Sequence, residues 1–305
     1  MLKASYRAVA RIAVIATSFN RRRQTLAALG SVFAQELPEG HELEVFLVDD
    51  ASTDGTGEAV RTQFPQVHLI RGTGSLFWCG GMRTAWSEAF KGDFDYYLWI
   101  NDDIVLEADA LYRLVGVAET LGTRGLQDTI VVGSTYDLAT GLHTYGGVVH
   151  SSRIHPLKFK LLAPSDTIES CHTMNGNCVL VTRATAQKLG GFSPAFTHST
   201  GDYDYGLRAR AAGCTIWLIP GYVGTCSRNS DRGTWLDRNL PLHKRWEQMR
   251  SPKGLVPREY REFVRQHGGP LWPIWWVLPY VRLIVSSLLP TGGKRVPTEN
   301  LRHSS

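Results

Sequence analysis

Along the first third of the chain, short apolar runs alternate with polar, turn-rich segments and with stretches whose apolar positions recur every three to four residues. Arg11 to Ala16 (RIAVIA) is apolar and partly β-branched, which predicts a buried parallel strand. The polar TSFNRRRQ follows, and then Leu26, Leu29, Val32 and Phe33 fall at helical spacing. A second strand is predicted from Leu43 to Val48, ending at Asp49-Asp50 and the turn-rich ASTDGTG. A helix from Thr56 and a strand from Val67 to Ile70 complete a further βα repeat. Tyr96 to Ile100 (YYLWI) predicts another buried strand, stopped by Asn101-Asp102-Asp103.

Strands alternating with helices predict an α/β fold with a mostly parallel central sheet flanked by helices. Ligands of such sheets lie beyond the carboxyl ends of the strands. Here those ends carry TSFN, DDASTD and NDD, so three polar clusters point at one site.

After about Thr120 the pattern becomes mixed. Strands are predicted at Ile130 to Gly133 and Cys178 to Val181, with a late edge strand at Ile216 to Ile219. From Ser227 the composition shifts. Asp231 to Arg265 holds nine Lys or Arg against five Asp or Glu. The Trp-rich PLWPIWWVLPYVRLIVSSLLP comes next, and the last fifteen residues read as a frayed tail. The organisation expected is a domain over residues 1–226 in two halves that meet at about residue 120. A helical C-terminal extension follows over 227–305. No internal repeat is present.

The charge balance, 33 basic against 28 acidic residues, is too mild to imply nucleic acid, and no nucleic-acid-binding signature occurs. Cys79, Cys171, Cys178, Cys214 and Cys226 are an odd number without a C-x-x-C pair, which disfavours a disulfide framework or zinc site. The N-terminal run is short and broken by Arg11, unlike a signal peptide, so a cytoplasmic protein is expected. Leu271 to Leu289 is interrupted by Pro273, Pro279 and Arg282, too broken for a span of about 20 apolar residues. With Trp272, Trp275, Trp276 and Tyr280 it predicts a segment lying in the membrane interface. The alternative is a helix packed on the domain or in a dimer interface.

The first strand is not followed by G-x-G-x-x-G, which excludes a dinucleotide fold, and no P-loop occurs. Thr17 and Phe19 would then receive a base directly, and Asp49 or Asp50 would accept from an imide or ring N–H. Taken alone, Asp49-Asp50 is equally well explained by helix capping. Asn101-Asp102-Asp103 tips the balance, because carboxylates at a strand end can hold a hard cation that bridges a diphosphate.

Taken in order, TSFNR after a strand, VDDASTDGT and the acidic triplet resemble glycosyltransferase family 2 with its GT-A fold. LFWCGGMRTAW, MNGNCVLVTRATAQKLGGFSPAF and GDYDYGLRARAAG extend the resemblance over about Arg11 to Cys226. The resemblance implies that Thr17, Phe19 and Asn20 contact the nucleotide, with Asp49 and Asp50 at the base and ribose. It implies Arg83 near the diphosphate, Asp103 on a Mg²⁺ or Mn²⁺ ion, and Asp202 as catalytic base. Asp204 and Arg208 would support it. Two positions depart from the pattern. The first acid of the usual D-x-D is Asn101, with Asp102 as a donor-binding substitute. Cys226 stands near a His of many relatives, and a thiol is a poor ligand for a hard cation.

The activity so implied is inverting transfer from a nucleotide-sugar, UDP- or dTDP-linked, to a glycan or polyprenyl-linked acceptor in cell-surface polysaccharide assembly. A homodimer or a peripheral position on the inner membrane face is compatible with it. Rival functions are a non-catalytic sugar-nucleotide or glycan binder and a sugar-1-phosphate nucleotidyltransferase, whose glycine-rich opening loop is missing.

Overall fold

The structure, a computed structural model, describes residues 10–37 and 39–288. The N-terminal nine residues and the frayed tail expected at the other end lie outside the described residues.

The four strands and first two helices of the first half are built as the apolar pattern predicts, and a third helix stands between the last two strands. Strands β1 (Arg11–Ser18), β2 (Glu42–Asp49), β3 (His68–Arg71) and β4 (Tyr96–Ile100) alternate with helices α1 (Arg22–Phe33), α2 (Thr56–Gln63) and α3 (Phe77–Ala89). All four strands are parallel, with β1 between β2 and β4. Along β1, Ile12, Val14 and Ala16 enter one apolar layer and Ala13 and Ile15 the other. That is why the strand reads as an unbroken apolar run.

The second half adds β5 (Val105–Leu106), α4 (Ala110–Thr123), β6 (Thr129–Tyr136), β7 (His143–Tyr145), β8 (Gly147–His150), β9 (Phe159–Leu161), β10 (Glu169–Ser170) and β11 (Thr173–Met174). After these come β12 (Cys178–Thr182), α5 (Arg183–Leu189), α6 (Gly201–Ala211) and β13 (Thr215–Thr225). The large sheet runs β3-β2-β1-β4-β12-β6-β13-β10, and β8, β9 and β11 form a small second sheet. The late strand is longer than the predicted Ile216 to Ile219 and is not at the edge, since β6 and β10 flank it. Its pairing slips after Leu218, where Pro220 and Gly221 interrupt the ladder.

Two strand placements build the site. β12 lies antiparallel between β4 and β6, pairing Cys178 with Ile100. Residues just before β12 therefore meet residues just after β4, and the Asn101 amide donates to the Asn177 carbonyl at 3.3 Å. β13 runs parallel to β6 and delivers Cys226 to the same end.

The C-terminal extension folds back on the domain as α7 (Leu242–Met249), α8 (Pro257–His267) and α9 (Trp272–Leu288). Glu259 of α8 accepts from the amide and hydroxyl of Thr197 at 3.0 and 2.6 Å, and His267 meets Asp204 of α6 at 2.9 Å. The tryptophans predicted to lie in a membrane interface face inward instead. Trp275 stacks on His155 at 4.0 Å, and its Nε1 donates to the Gly268 carbonyl at 3.1 Å. Trp276 Nε1 donates to the Pro257 carbonyl and the Tyr280 hydroxyl to the Leu255 carbonyl, at 3.1 and 2.9 Å. An indole or phenol that finds a hydrogen-bond acceptor inside the fold gains both burial and a partner, so the aromatics go to the seam.

Helix α3 can pack on the end of β1 only because Gly81 has no side chain. A Cβ there would stand 2.0 Å from Thr17 Oγ1. Gly81→Ala should therefore destabilise the protein by about 1–3 kcal/mol, the usual cost of overpacking, measured by urea unfolding. An unchanged midpoint would mean that α3 shifts freely and that the close approach carries no energy.

Candidate active site

Beyond the carboxyl ends of β1, β2 and β4 lies a cavity of about 640 Å³. Thr17, Ser18, Phe19 and Arg21 line it from the first strand end, and Phe19 is half exposed into it. Asn20 adopts a left-handed φ of 53° and does not line the wall. Its side-chain oxygen accepts from the Thr53 amide at 2.7 Å, and its own amide donates to Ser52 Oγ at 2.9 Å. Asn20 thus staples the first loop to the second.

The adjacent acids Asp49 and Asp50 separate, as alternation along a strand requires. Asp49 turns away from the cavity, accepts from the Ser52 amide at 3.0 Å and lies against Gly57 in the first turn of α2. These neighbours are those of a loop and helix-end residue. Asp50 is buried on the cavity side, where it accepts the amides of Gly74, Leu76 and Phe77 at 2.7, 2.9 and 3.1 Å. A carboxylate has about four lone-pair sites, so acceptor capacity remains. Arg83, expected near the diphosphate, is not on the wall. Its guanidinium donates to the carbonyls of Ser193 and Phe196 at 3.0 and 3.4 Å and fastens α3 to the loop before α6.

At the end of β4, Asn101, Asp102 and Asp103 all line the cavity. The Asn101 side-chain oxygen accepts from Trp78 Nε1 at 2.9 Å. Burial pushes the Asp102 carboxyl up to about 6, with Arg21 opposing the shift and Asp103 adding to it. Arg21 is the cation that sequence reasoning missed. Its Nη1 reaches Asp103 at 2.5 Å and Asp102 at 3.5 Å. The available signal was the run Arg21-Arg22-Arg23 directly after a strand-end cluster, where the first member falls at the start of α1.

Cys226 stands beside this pair. Burial, and then the neighbouring Asp103, push its thiol up to about 12, so it stays protonated and donates to Asp103 Oδ1 at 3.3 Å. Asn177 donates to the same sulfur at 3.2 Å, while its buried side-chain oxygen has no partner. Among the described residues no group of three His, Cys, Asp or Glu side chains could hold a metal ion. The donors present therefore do not form a closed cage. They fit a cation that shares Asp103 with diphosphate oxygens, since Mg²⁺ commonly takes one or two carboxylates plus substrate phosphates.

Asp202 closes the other side of the cavity from the first turn of α6. Its Oδ2 accepts the Gly176 amide at 2.9 Å and its Oδ1 the Tyr203 amide at 2.8 Å. Burial raises its pKa above the usual carboxylate value, and the amides of Gly176 and Tyr203 oppose that. Gly176 must stay bare here, because a Cβ would meet the Trp78 ring at 2.5 Å and Asp202 at 3.2 Å. Asp204 points away from the cavity and is fully buried between Arg208 at 2.8 Å and His267 at 2.9 Å. Arg208 also donates to the Gly191 carbonyl at 3.2 Å and lies over the Tyr205 ring. Both tie α6 to its surroundings.

The extension supplies wall residues as well: Lys253, Tyr260 and Phe263 line the same cavity. The basic stretch was read from sequence as lying outside the catalytic domain, and contacts across more than fifty residues left no local signal. His198, also on the wall, has its pKa lowered to about 4 by burial, then by Lys253 and Arg21, which keeps it neutral near pH 7.

The site is thus a polar cavity at the strand ends of a mixed sheet, with acids that follow β4 and one on α6 on its walls. The glycosyl transferase family 2 model matches residues 13–190, well over half of the chain, and the chain belongs to that family. The fold is GT-A. A mannosyltransferase from Pyrobaculum calidifontis, in complex with GDP-Man and Mn²⁺, superposes with a TM-score of 0.53 at 18% identity, over 93% of this chain and 76% of that one. Residues 1–349 of S. aureus TarS, in complex with UDP-GlcNAc, superpose with a TM-score of 0.52 at 15% identity, over 82% and 66%. At such identities the likeness is one of fold. No curated protein sequence matches the chain.

Removing Arg21 should shift the titration of its partner. In metal-free Arg21→Met, the Asp102 midpoint should rise from about 6, because the guanidinium is the main group holding it down. Carboxyl-carbon NMR titration reads this directly. An unchanged midpoint would remove Arg21 from the electrostatics of the site.

Proposed function

We propose that the protein transfers a sugar, with inversion, from a uridine or thymidine diphosphate sugar to a hydroxyl of a glycan or polyprenyl-linked acceptor, in cell-surface polysaccharide assembly. The observation that carries this reading is that Asp202 on α6 and Asp103 after β4 line one cavity. Family membership supports the reaction class, and two proteins of the same fold hold GDP-Man and UDP-GlcNAc. A lipid-linked acceptor puts the enzyme on the cytoplasmic face of a membrane. Among the described residues no helix is long and apolar enough to cross one.

The base stacks near Phe19 and Thr17, with spare acceptor capacity on Asp50 for an imide N–H. The diphosphate lies toward Asp103 and Arg21. Asp202 takes the proton of the acceptor hydroxyl as its oxygen attacks the anomeric carbon, and the nucleoside diphosphate leaves from the opposite face. Its two amide donors hold the carboxylate in one orientation, and its raised pKa improves it as a base. Arg21 is placed to take up charge from the departing diphosphate. A bound Mg²⁺ or Mn²⁺ on Asp103 would neutralise part of the same charge.

Asp202→Asn should lower turnover by about 10²-fold or more and leave donor affinity near normal. Because the base acts deprotonated and its pKa is raised, the acid limb of kcat/KM should lie above the ordinary carboxylate range. Transfer within a few-fold of the parent enzyme would remove Asp202 from the mechanism.

Asp103 yields a separate test. Asp103→Ala should weaken nucleoside-diphosphate binding in Mn²⁺, and chelator should have the same effect on the unmodified protein, both read by thermal shift. Full transfer activity in excess chelator would show that Arg21 and its neighbours stabilise the leaving group unaided.

A further inference from the structure

With its tryptophans turned inward, α9 presents an aliphatic face to solvent. Ile274, Val277, Val281, Ile284 and Val285 are each 40–54% exposed, and Leu271 just before the helix is 51% exposed. At 3.6 residues per turn the five helical positions fall in one arc of about 100°, the width of an amphipathic stripe. Trp272, Trp276 and Leu283 lie on the opposite side, and Leu283 is buried. The row from Leu271 to Val285 is about 20 Å long.

The charges around the row select its partner. Helix α9 carries no acid, and Arg282 stands exposed about 60° of arc beyond the stripe. On α8, Arg258 and Arg261 are exposed, with Arg261 over the Trp272 ring at the head of α9. The nearby acids are engaged: Glu259 with Thr197 and Glu262 with Arg265. Self-association through this row would bring the arginines of two copies together. An anionic surface with an apolar interior complements both the row and its rim.

We propose that the outer face of α9, with Arg282 exposed on the same helix and Arg258 exposed on the packed helix α8, docks on an anionic lipid bilayer. The aliphatic side chains enter the headgroup boundary and the helix axis lies in the membrane plane. Pro279 and Arg282 leave the helix too interrupted to insert end-on. Helix α8 both seats α9 and contributes Tyr260 and Phe263 to the cavity, so docking holds the cavity beside the lipid surface. The purpose of such docking rests on the lipid-linked acceptor proposed above, whereas its test does not.

The full chain is sedimented with phosphatidylcholine vesicles with and without roughly 30% phosphatidylglycerol, at low and high salt. Binding to the anionic vesicles should weaken with salt. It should fall about tenfold or more in the combined Ile274→Ser, Val281→Ser, Ile284→Ser variant and in Arg258→Gln, Arg282→Gln. Melting temperature and donor hydrolysis should stay unchanged in both variants, because every altered side chain points outward. Absence of vesicle binding at low salt would overturn the proposal, as would binding that the serine variant retains. Sedimentation velocity supplies the alternative: a parent dimer that the serine variant converts to monomer, with no vesicle binding, would give the face to a second copy. Loss of donor hydrolysis in Asp202→Asn is read separately, so failure of the catalytic reading and failure of the docking proposal remain distinct.

Discussion

The cavity depends on one placement, the antiparallel insertion of β12 between β4 and β6. A parallel neighbour would carry its own carboxyl end to the site. An antiparallel one brings the residues that precede it, and so Gly176 and Asn177 reach the end of β4. Gly176 in turn lets the Trp78 ring and Asp202 close over the strand start, and its amide holds the carboxylate. The acidic triplet and the acid of α6, some hundred residues apart in sequence, share one cavity through this strand.

Within the cavity the carboxylates have amide or guanidinium partners. Asp50 is held by three amides, Asp202 by two, and Asp102 and Asp103 by one guanidinium. Buried charge is tolerated only where such partners exist. The arrangement leaves a site that is organised before any ligand arrives, with Arg21 paired to both Asp102 and Asp103. Cys226, kept as a thiol, adds a donor to Asp103 without adding charge.

The C-terminal extension shows the same economy in apolar terms. Its aromatics form the seam with the domain, where each indole or phenol finds a carbonyl, and its aliphatics are left outside. Glu259 and His267 fasten α8 to the loop before α6 and to α6 itself. The extension is therefore part of the cavity's architecture, which it reaches through Lys253, Tyr260 and Phe263.

What the sequence by itself determined is the parallel half of the sheet, from Arg11 to Ile100, and the three polar clusters at its strand ends. Both are local properties: an unbroken apolar run means burial on both faces, and a polar break marks where the strand leaves the core. Asp103 and Asp202 were legible as well, through motifs in order along the chain. The tertiary structure alone decided which neighbours face the cavity. Asp50 enters and Asp49 does not, because alternation on a strand is set by register rather than by residue type. Arg21 joins the site while Arg83 and Asn20 are spent on fastening loops, since a side chain's role follows from the groups within its reach. The orientation of α9 was undecidable for the same reason. Trp and aliphatic residues on opposite sides of one helix are equally apolar in sequence, and only the acceptors offered by α8 and its flanking loops settled which side turned inward.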